Sequence, residues 1–279
     1  MFRPVTTLET AARPTFADAL AFASSLATRA GELLMDRYER VEQVDYKSAR
    51  DIVTEVDHLS EELILEAIRA RYPDDGILAE ESGEHRTIAG VAPSSGQGRF
   101  WIVDPIDGTI NYANGIPMFC VSIALAVDGV PAVGIIHDPT RSETFAASAD
   151  GPATLNGRVI RASDKERLSD FVVSLALAGR SVATRVRRTR KAIRISRSMG
   201  SAALALAYVG AGRFDAFVQE GGLSMWDVAA AGLIAERGGA RVTAMDLGPW
   251  FDLTRGPRSI GLIAAPATHL EAMHQLVRP

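Results

Sequence analysis

The stretch Trp101-Ile102-Val103-Asp104-Pro105-Ile106-Asp107-Gly108-Thr109 decides how this chain folds and where its chemistry sits. Apolar residues Phe100 to Val103 form a short buried strand that delivers Asp104 to its end. Pro105 has no N–H to give a ladder, so the strand is expected to stop there. A tight turn would then bring Asp107 to the side of Asp104 and expose the Ile106 carbonyl oxygen. Two carboxylates and a carbonyl are hard oxygen donors, a set that suits Mg2+ or Mn2+ rather than zinc. Gly108 lets a ligand approach the backbone, and a helical turn opening at Gly108-Thr109 would point its N–H groups at an anion. The plainer alternative is that Asp-Pro and Asp-Gly only form turns.

Working outward, further acids stand at comparable places. Glu80-Glu81 follows the apolar strand Ile77-Leu78-Ala79, where adjacent acids repel unless exposed or neutralised by a cation. Asp51 and Asp57 bracket Ile52-Val53-Thr54, with Lys47 upstream, and Asp57 would equally serve as the N-cap of the next helix. Asp227 opens the apolar helix Trp226–Arg237, where an acid also suits the macrodipole. Each acid has a simple local explanation. Together they form clusters at strand ends and helix starts, the places from which side chains converge on a shared site.

The rest of the chain supplies the frame. Phe16, Leu20, Ala23, Ala27, Ala30 and Leu34 recur at helical spacing, with Thr15 as N-cap. A second helix is expected over Leu59–Arg71, stopped by Tyr72-Pro73-Asp74-Asp75-Gly76. Residues 83–99 read as a polar loop. Phe119–Val127 and Ala132–His137, split by Asp128-Gly129-Val130-Pro131, read as a hairpin. Helices are expected at Ser201–Ala211 and Trp226–Arg237, and strands at Val41–Tyr46, Val172–Leu177, Ala216–Gln219 and Ile260–Ala264. The order predicts a layered α/β sandwich rather than strict βαβ alternation.

With 279 residues and 47% hydrophobic content, the chain can bury one large core, read as a single domain of two packed halves, about 1–150 and 151–279. A net charge of −4 gives no general case for nucleic-acid or membrane binding. Cys120, the one cysteine, excludes an internal disulfide and sits in an apolar run as a small core residue. Met1–Pro14 lacks a signal-peptide pattern, and no stretch is long and apolar enough to span a bilayer, so a cytoplasmic protein is expected. Arg180 to Arg197 holds many bases and no acid, either a solvated helix face or loop, or a patch that draws anionic substrates.

In these residues the chain resembles the inositol monophosphatase family, within the wider group that includes fructose-1,6-bisphosphatases. The matching segments, in order, are Lys47-Ser48 with Asp51 to Asp57, Ala79 to Ser82, Trp101 to Asn111, Gly200-Ser201-Ala202, and Trp226 to Ala229 with Glu236 to Gly239. The resemblance implies an αβαβα sandwich, the sugar-phosphatase fold, and a phosphomonoesterase. It implies that Glu80, Asp104 and the Ile106 carbonyl bind one Mg2+, that Asp104, Asp107 and Asp227 bind a second, and that a weaker third sits near Glu80. Asp57 and Thr109 would orient the attacking water, with Glu80 helping as base. The Gly108 and Thr109 backbone would hold phosphate, while Glu220 and the backbone near Ala202 would meet hydroxyls of a small polyol phosphate. A homodimer and lithium sensitivity are further expectations of the resemblance, and Glu81 would shape the site from behind. Ile110 stands where phosphoadenosine phosphatases often carry lysine, which disfavours a nucleotide; fructose bisphosphate, histidinol phosphate and NADP 2′-phosphate stay open beside inositol monophosphate. A covalent phospho-aspartate route of the haloacid dehalogenase type needs acids two apart on one strand end, and Asp104 and Asp107 are three apart.

Overall fold

Both helices expected near the start of the chain are present in the computed structural model, which describes residues 15–279 apart from 42, 49–50, 84, 87–96 and 256–259. Segment 1–14, most of the 83–99 loop, and the Lys47 and Asp51 side chains lie outside the described residues. Helix α1 (Phe16–Arg37) opens on a capping box in which Asp18 N–H donates to Thr15 Oγ1 and Thr15 N–H donates to the Asp18 carboxylate. Strands β1 (Val44–Ser48) and β2 (Asp51–Thr54) pair antiparallel and lead into α2 (Glu55–Arg71). That helix starts at Glu55, ahead of the expected Leu59, because Thr54 is its N-cap and Asp57 completes the box.

Next in the chain come β3 (Gly76–Ala79), β4 (His85–Arg86), β5 (Arg99–Asp107), the short α3 (Thr109–Ala113), β6 (Cys120–Val127), β7 (Val130–Asp138), β8 (Glu143–Ser148), β9 (Thr154–Leu155) and β10 (Arg158–Val159). Their strands form one sheet of eight in the order β10-β9-β8-β7-β6-β5-β3-β4. The β6–β7 hairpin turns on Asp128-Gly129, both at positive φ, as the sequence expects. The second half holds β11 (Val172–Ala176), α4 (Val182–Ala192), β12 (Ile195–Arg197), α5 (Ala202–Gly210), β13 (Ala216–Leu223), α6 (Met225–Arg237), β14 (Ala240–Ala244), β15 (Ile260–Pro266) and α7 (Leu270–Val277). Its strands make a five-stranded sheet in the order β12-β11-β13-β15-β14.

Side-chain packing sorts these elements into layers. Leu26, Ile64 and Ile68 of α1 and α2 bury against Trp101, Val103 and Val121 on one face of the larger sheet. Leu204, Val228 and Ile234 of α5 and α6 fill the space between the sheets, against Phe100 and Ile102 on one side and Phe217 and Leu262 on the other. Leu270, Met273 and Val277 of α7 cover the outer face of the smaller sheet at Phe171, Val218 and Ile263. The result is the expected αβαβα sandwich.

Strand β5 departs from expectation in a way that makes the site. Phe100 and Ile102 face the middle helices, while Trp101 and Val103 face α1 and α2. Continued without a break, that alternation would send Asp104 toward the middle layer and Asp107 away from it. Instead the register with β6 slips, from Asp104 opposite Ser122 to Asp107 opposite Cys120. One extra residue on β5 at Pro105-Ile106 is a β-bulge, and it returns Asp107 to the side of Asp104. Pro105 therefore does not end the strand, and the bulge replaces the expected tight turn.

The basic segment forms α4, on which every base is exposed except Arg185. Its apolar stripe, Val182, Val186 and Ile193, is thin, and it meets α7 through polar bonds as well. Arg185 Nη1 donates to Val277 O at 2.9 Å, Arg188 Nε to Leu276 O at 2.8 Å, and Thr189 Oγ1 to Leu276 O at 3.2 Å. These satisfy last-turn carbonyls of α7, where cations are also favoured by the helix dipole.

Candidate active site

The bulge of β5 faces the first turns of α5 and α6, and three carboxylates meet there. Asp104, Asp107 and Asp227 each offer an oxygen, and these atoms lie within 4.8 Å of one another. Asp104 is buried, and its Oδ1 accepts the Ile106 N–H at 3.0 Å, which fixes its rotamer across the bulge. Asp107 is held by the start of α5, with Oδ2 accepting from Ser201 Oγ and, at 2.7 Å, from Ala203 N–H. Asp227 is the third residue of α6, where its Oδ2 accepts the Ser224 N–H at 2.7 Å to close a capping box. Two of the three acids thus meet helix N-termini, Asp227 within its own helix and Asp107 at the distant start of α5.

Burial, then the charges of Glu80, Asp107 and Asp227, push the Asp104 carboxyl well above the usual carboxylate range. Asp227 is raised for the same leading reason, burial, with the Asp107 charge next. Asp107 is raised by burial against the opposing hydrogen bonds from Ser201, Ala203 and Ala202. A cleft of about 560 Å³ opens over the cluster. Among the described residues its lining includes Glu80 and the three aspartates but no Lys, Arg or His. Several anions in a low-dielectric site without a protein cation require protons or a bound cation. Their donor atoms, all hard oxygens, fit a divalent ion of the magnesium type.

Beside the cluster, Thr109 Oγ1 donates to Asp57 Oδ1 at 2.9 Å and lies 3.0 Å from the Ile106 carbonyl, sharing one proton between two acceptors. Asp57 Oδ2 accepts from Thr54 N–H at 2.8 Å and Thr54 Oγ1 at 2.6 Å, so the capping box of α2 aims its other oxygen at Thr109. Gly108 has φ +100°, and a Cβ there would lie 3.0 Å from Met118 O and 3.3 Å from Gly200 O, so only glycine fits.

Residues 17–278 match the inositol monophosphatase family. The chain belongs to that family. It is 38% identical over 227 residues, 81% of this chain and 84% of the relative, to a fructose-1,6-bisphosphatase/inositol-1-monophosphatase of Thermotoga maritima. It is 36% identical to the Nus factor SuhB of Xylella fastidiosa, covering 90% of this chain and 91% of that one. The solved Thermotoga maritima IMPase superposes with a TM-score of 0.83 at 34% identity, over 93% of this chain and 96% of that one. As a member of the inositol monophosphatase family the chain is a phosphomonoesterase, of a metal-dependent kind. No helix among the described residues is long and apolar enough to cross a membrane.

Most residues that the family resemblance singled out converge on this cleft. Glu80, Asp104, Ile106, Asp107, Gly108, Thr109, Ala202 and Asp227 all line it, and Asp57 stands behind Thr109. Two details differ from expectation. The Ala202 N–H points at Asp107 Oδ1 at 3.3 Å, so the backbone there braces an acid of the cluster. Glu220 is absent from the lining, which instead includes Gln219 and Gly222 on either side of it. Its Oε2 lies 2.8 Å from Arg185 Nη2 and accepts the Ala178 N–H at 3.0 Å.

Other supporting residues were missed. Glu61, buried on α2, accepts the Glu81 and Ser82 N–H groups at 2.8 and 2.7 Å and so holds the turn that presents Glu80. Its signal was readable, because Glu61 falls on the helical stripe Val56, Asp57, Ser60, Ile64, Leu65 and Ile68 that the helix buries. Asn111 Nδ2 donates to Met118 O at 2.6 Å and Met199 O at 2.7 Å, tying the loop after β5 to the entry of α5. That bridge joins residues 88 apart and carries no local signal.

Proposed function

We propose that this enzyme hydrolyses inositol monophosphate, or a similar small polyol phosphate, with Mg2+ as its cation. The observation that carries the reading is the group of buried Asp104 and Asp107 with half-buried Asp227 in a cleft lined by acids, with the Asp57–Thr109 pair beside it. Glu80, Asp104 and the Ile106 carbonyl would hold one ion, Asp104, Asp107 and Asp227 a second, and Glu80 a weaker third. Such ions neutralise an anionic phosphate, make water a better nucleophile, and steady the leaving alkoxide.

The chain's own residues set the geometry. With its proton given to Asp57, the Thr109 hydroxyl keeps lone pairs to accept a hydrogen bond from the attacking water and so aims that water at phosphorus. Glu80 takes the proton as the new P–O bond forms, and the displaced alkoxide takes one from water in the open cleft. Free N–H groups at the start of α3, with Gly108 leaving the approach open, meet the phosphate oxygens. Asp104 and Asp107 serve as ligands, so no phospho-aspartate forms. Ala202 and Glu220 flank the space for the alcohol's hydroxyls. Fructose-1,6-bisphosphate is the next substrate to consider, given the name of the Thermotoga relative. The same reading takes the chain as one catalytic unit that forms a homodimer, is inhibited by lithium, and works in the cytoplasm, where the buried thiol of Cys120 stays reduced.

A panel of inositol 1-phosphate, fructose-1,6-bisphosphate and p-nitrophenyl phosphate, assayed after chelation and again with Mg2+ at ~1 mM, a level suited to a weakly held ion, tests this reading. Mg2+-restored hydrolysis that favours a polyol phosphate is expected. No hydrolysis of any substrate under either condition would overturn it.

A further inference from the structure

Arg185 is the one base of α4 that is buried, at 1% exposure. Burying a guanidinium is unfavourable by several kcal/mol unless its charge is paired and its N–H groups are bonded. Its pairing is with Glu220, 2.8 Å away, on β13 next to the cleft-lining Gln219. Its other Nη contacts are Ala178 O and, at 2.9 Å, Val277 O at the end of α7. Ala178 closes the figure, since its N–H donates to Glu220 Oε2. Arg185 Nε has no partner among the described residues, so the side chain is oriented by what its two Nη groups hold.

The segment that carries Glu220 needs such a tie. Pairing of β13 with β15 jumps from Gln219 opposite Leu262 to Leu223 opposite Ile260, so Glu220-Gly221-Gly222 form a bulge in the strand. Gly221 and Gly222 both have positive φ, a backbone that glycine adopts without strain. Gln219 and Gly222 line the cleft, as does Ala176, two residues before Ala178. Whatever fixes Glu220 therefore fixes this part of the cleft wall.

We propose that Arg185 is a positioning residue for substrate selection: it commits Glu220 Oε2 to the protein and leaves Oε1 to accept hydroxyls of the polyol. Among the described residues the Arg185 and Ala178 contacts of the carboxylate both fall on Oε2, which leaves the other oxygen for a ligand. The inference rests on the reading above that Glu220 meets the substrate's hydroxyls. It adds that this contact is set from α4 and the end of α7, elements outside the cleft. Arginine suits the task because its planar fork fixes direction as well as charge.

The test compares Arg185→Gln, Arg185→Lys, Glu220→Gln and the Arg185→Gln/Glu220→Gln double variant, in the presence of Mg2+. The substrates are inositol 1-phosphate, which presents ring hydroxyls, and p-nitrophenyl phosphate, which presents none. Arg185→Gln should raise KM for inositol 1-phosphate about tenfold with little change in kcat, and leave KM for p-nitrophenyl phosphate within about twofold. Arg185→Lys, which keeps the charge and loses the fork, should give a smaller change of the same kind; it carries the test alone if the glutamine variant does not fold. The double variant should be no worse than Glu220→Gln, because the two side chains act as a unit. Equal KM changes on both substrates, or a fall in Tm alone, would make the pair merely structural and overturn the inference. If Glu220→Gln leaves inositol 1-phosphate kinetics unaltered, the underlying assignment of Glu220 fails instead, and the inference falls with it.

Discussion

Replacing Asp104 by asparagine removes one charge from the buried cluster and keeps the shape. Its Oδ1 can still accept the Ile106 N–H at 3.0 Å, so the bulge should survive. Carboxylate oxygens within 4.8 Å of each other repel by about 3.5 kcal/mol or more per charged pair at an effective dielectric near 20. Burial and the neighbouring charges raise Asp104 well above its ordinary value, so the wild-type carboxyls escape part of that repulsion by taking up protons. The remaining relief in metal-free Asp104→Asn should be about 1–3 kcal/mol, or a rise in Tm of roughly 2–5 °C. Adding Mg2+ should then reverse the ranking. Wild type gains stability from an ion that binds only the folded chain, while the variant, lacking a shared ligand, gains little. The assay is thermal unfolding with chelator and across a Mg2+ series, with hydrolysis measured on the same samples. Activity should fall at least about a hundredfold. A metal-free variant no more stable than wild type, with an undiminished response to Mg2+, would refute the assignment of Asp104 to a cation site.

Other perturbations separate the remaining roles. Thr109→Ala should lower kcat by about 10² or more with a small change in KM, while Thr109→Ser, which keeps the hydroxyl, should retain most of the rate. Gly200→Ala forces a Cβ to within 2.7 Å of Asn111 Nδ2 at a φ of +74°, so a loss of more than about 1 kcal/mol is expected in denaturant unfolding. A smaller loss from Gly200→Ala in an Asn111→Ala background than in wild type would identify the clash as part of the cause. Arg213 donates to Glu143 at 2.5 and 2.6 Å, and that bond, against burial, holds Glu143 below its ordinary value. A lowered folded value makes the pair stabilising above the unfolded value of about 4.5, with the benefit lost as pH falls through the folded value. The Tm difference between wild type and Arg213→Gln should therefore narrow below about pH 4, and a constant difference would show that Arg213 acts by packing on Tyr208 alone.

Much of this protein was legible because its signals are local. Thr15 and the apolar spacing after it mark α1, Asp128-Gly129 marks the β6–β7 hairpin, and Asp107 and Asp227 stand at a strand end and a helix start. The resemblance carried by Trp101–Asn111 and Trp226–Ala229 gave the order of layers. Helix α4 was only half legible, as a solvated helix face or a loop, since its apolar stripe is thin (Val182, Val186, Ile193) and part of its inward face is arginine and threonine bonded to α7 carbonyls. Helix α7 did carry such a period in Leu270, Met273 and Val277, and it was overlooked.

What the sequence by itself determined is the chemistry available: which acids, which glycine, which threonine, and in what order. Their arrangement depended on the tertiary structure. A one-residue bulge turns Asp107 to the side of Asp104, against the alternation of β5, because pairing with β6 absorbs Pro105 without ending the strand. The starts of α5 and α6 then add Ser201 and Asp227 from far along the chain. Arg185 likewise reads as one more base in a solvated run, and only the packing of α4 on α7 and β13 turns it inward to Glu220. Burial and partner choice are properties of contacts between distant segments, and no spacing within either segment encodes them.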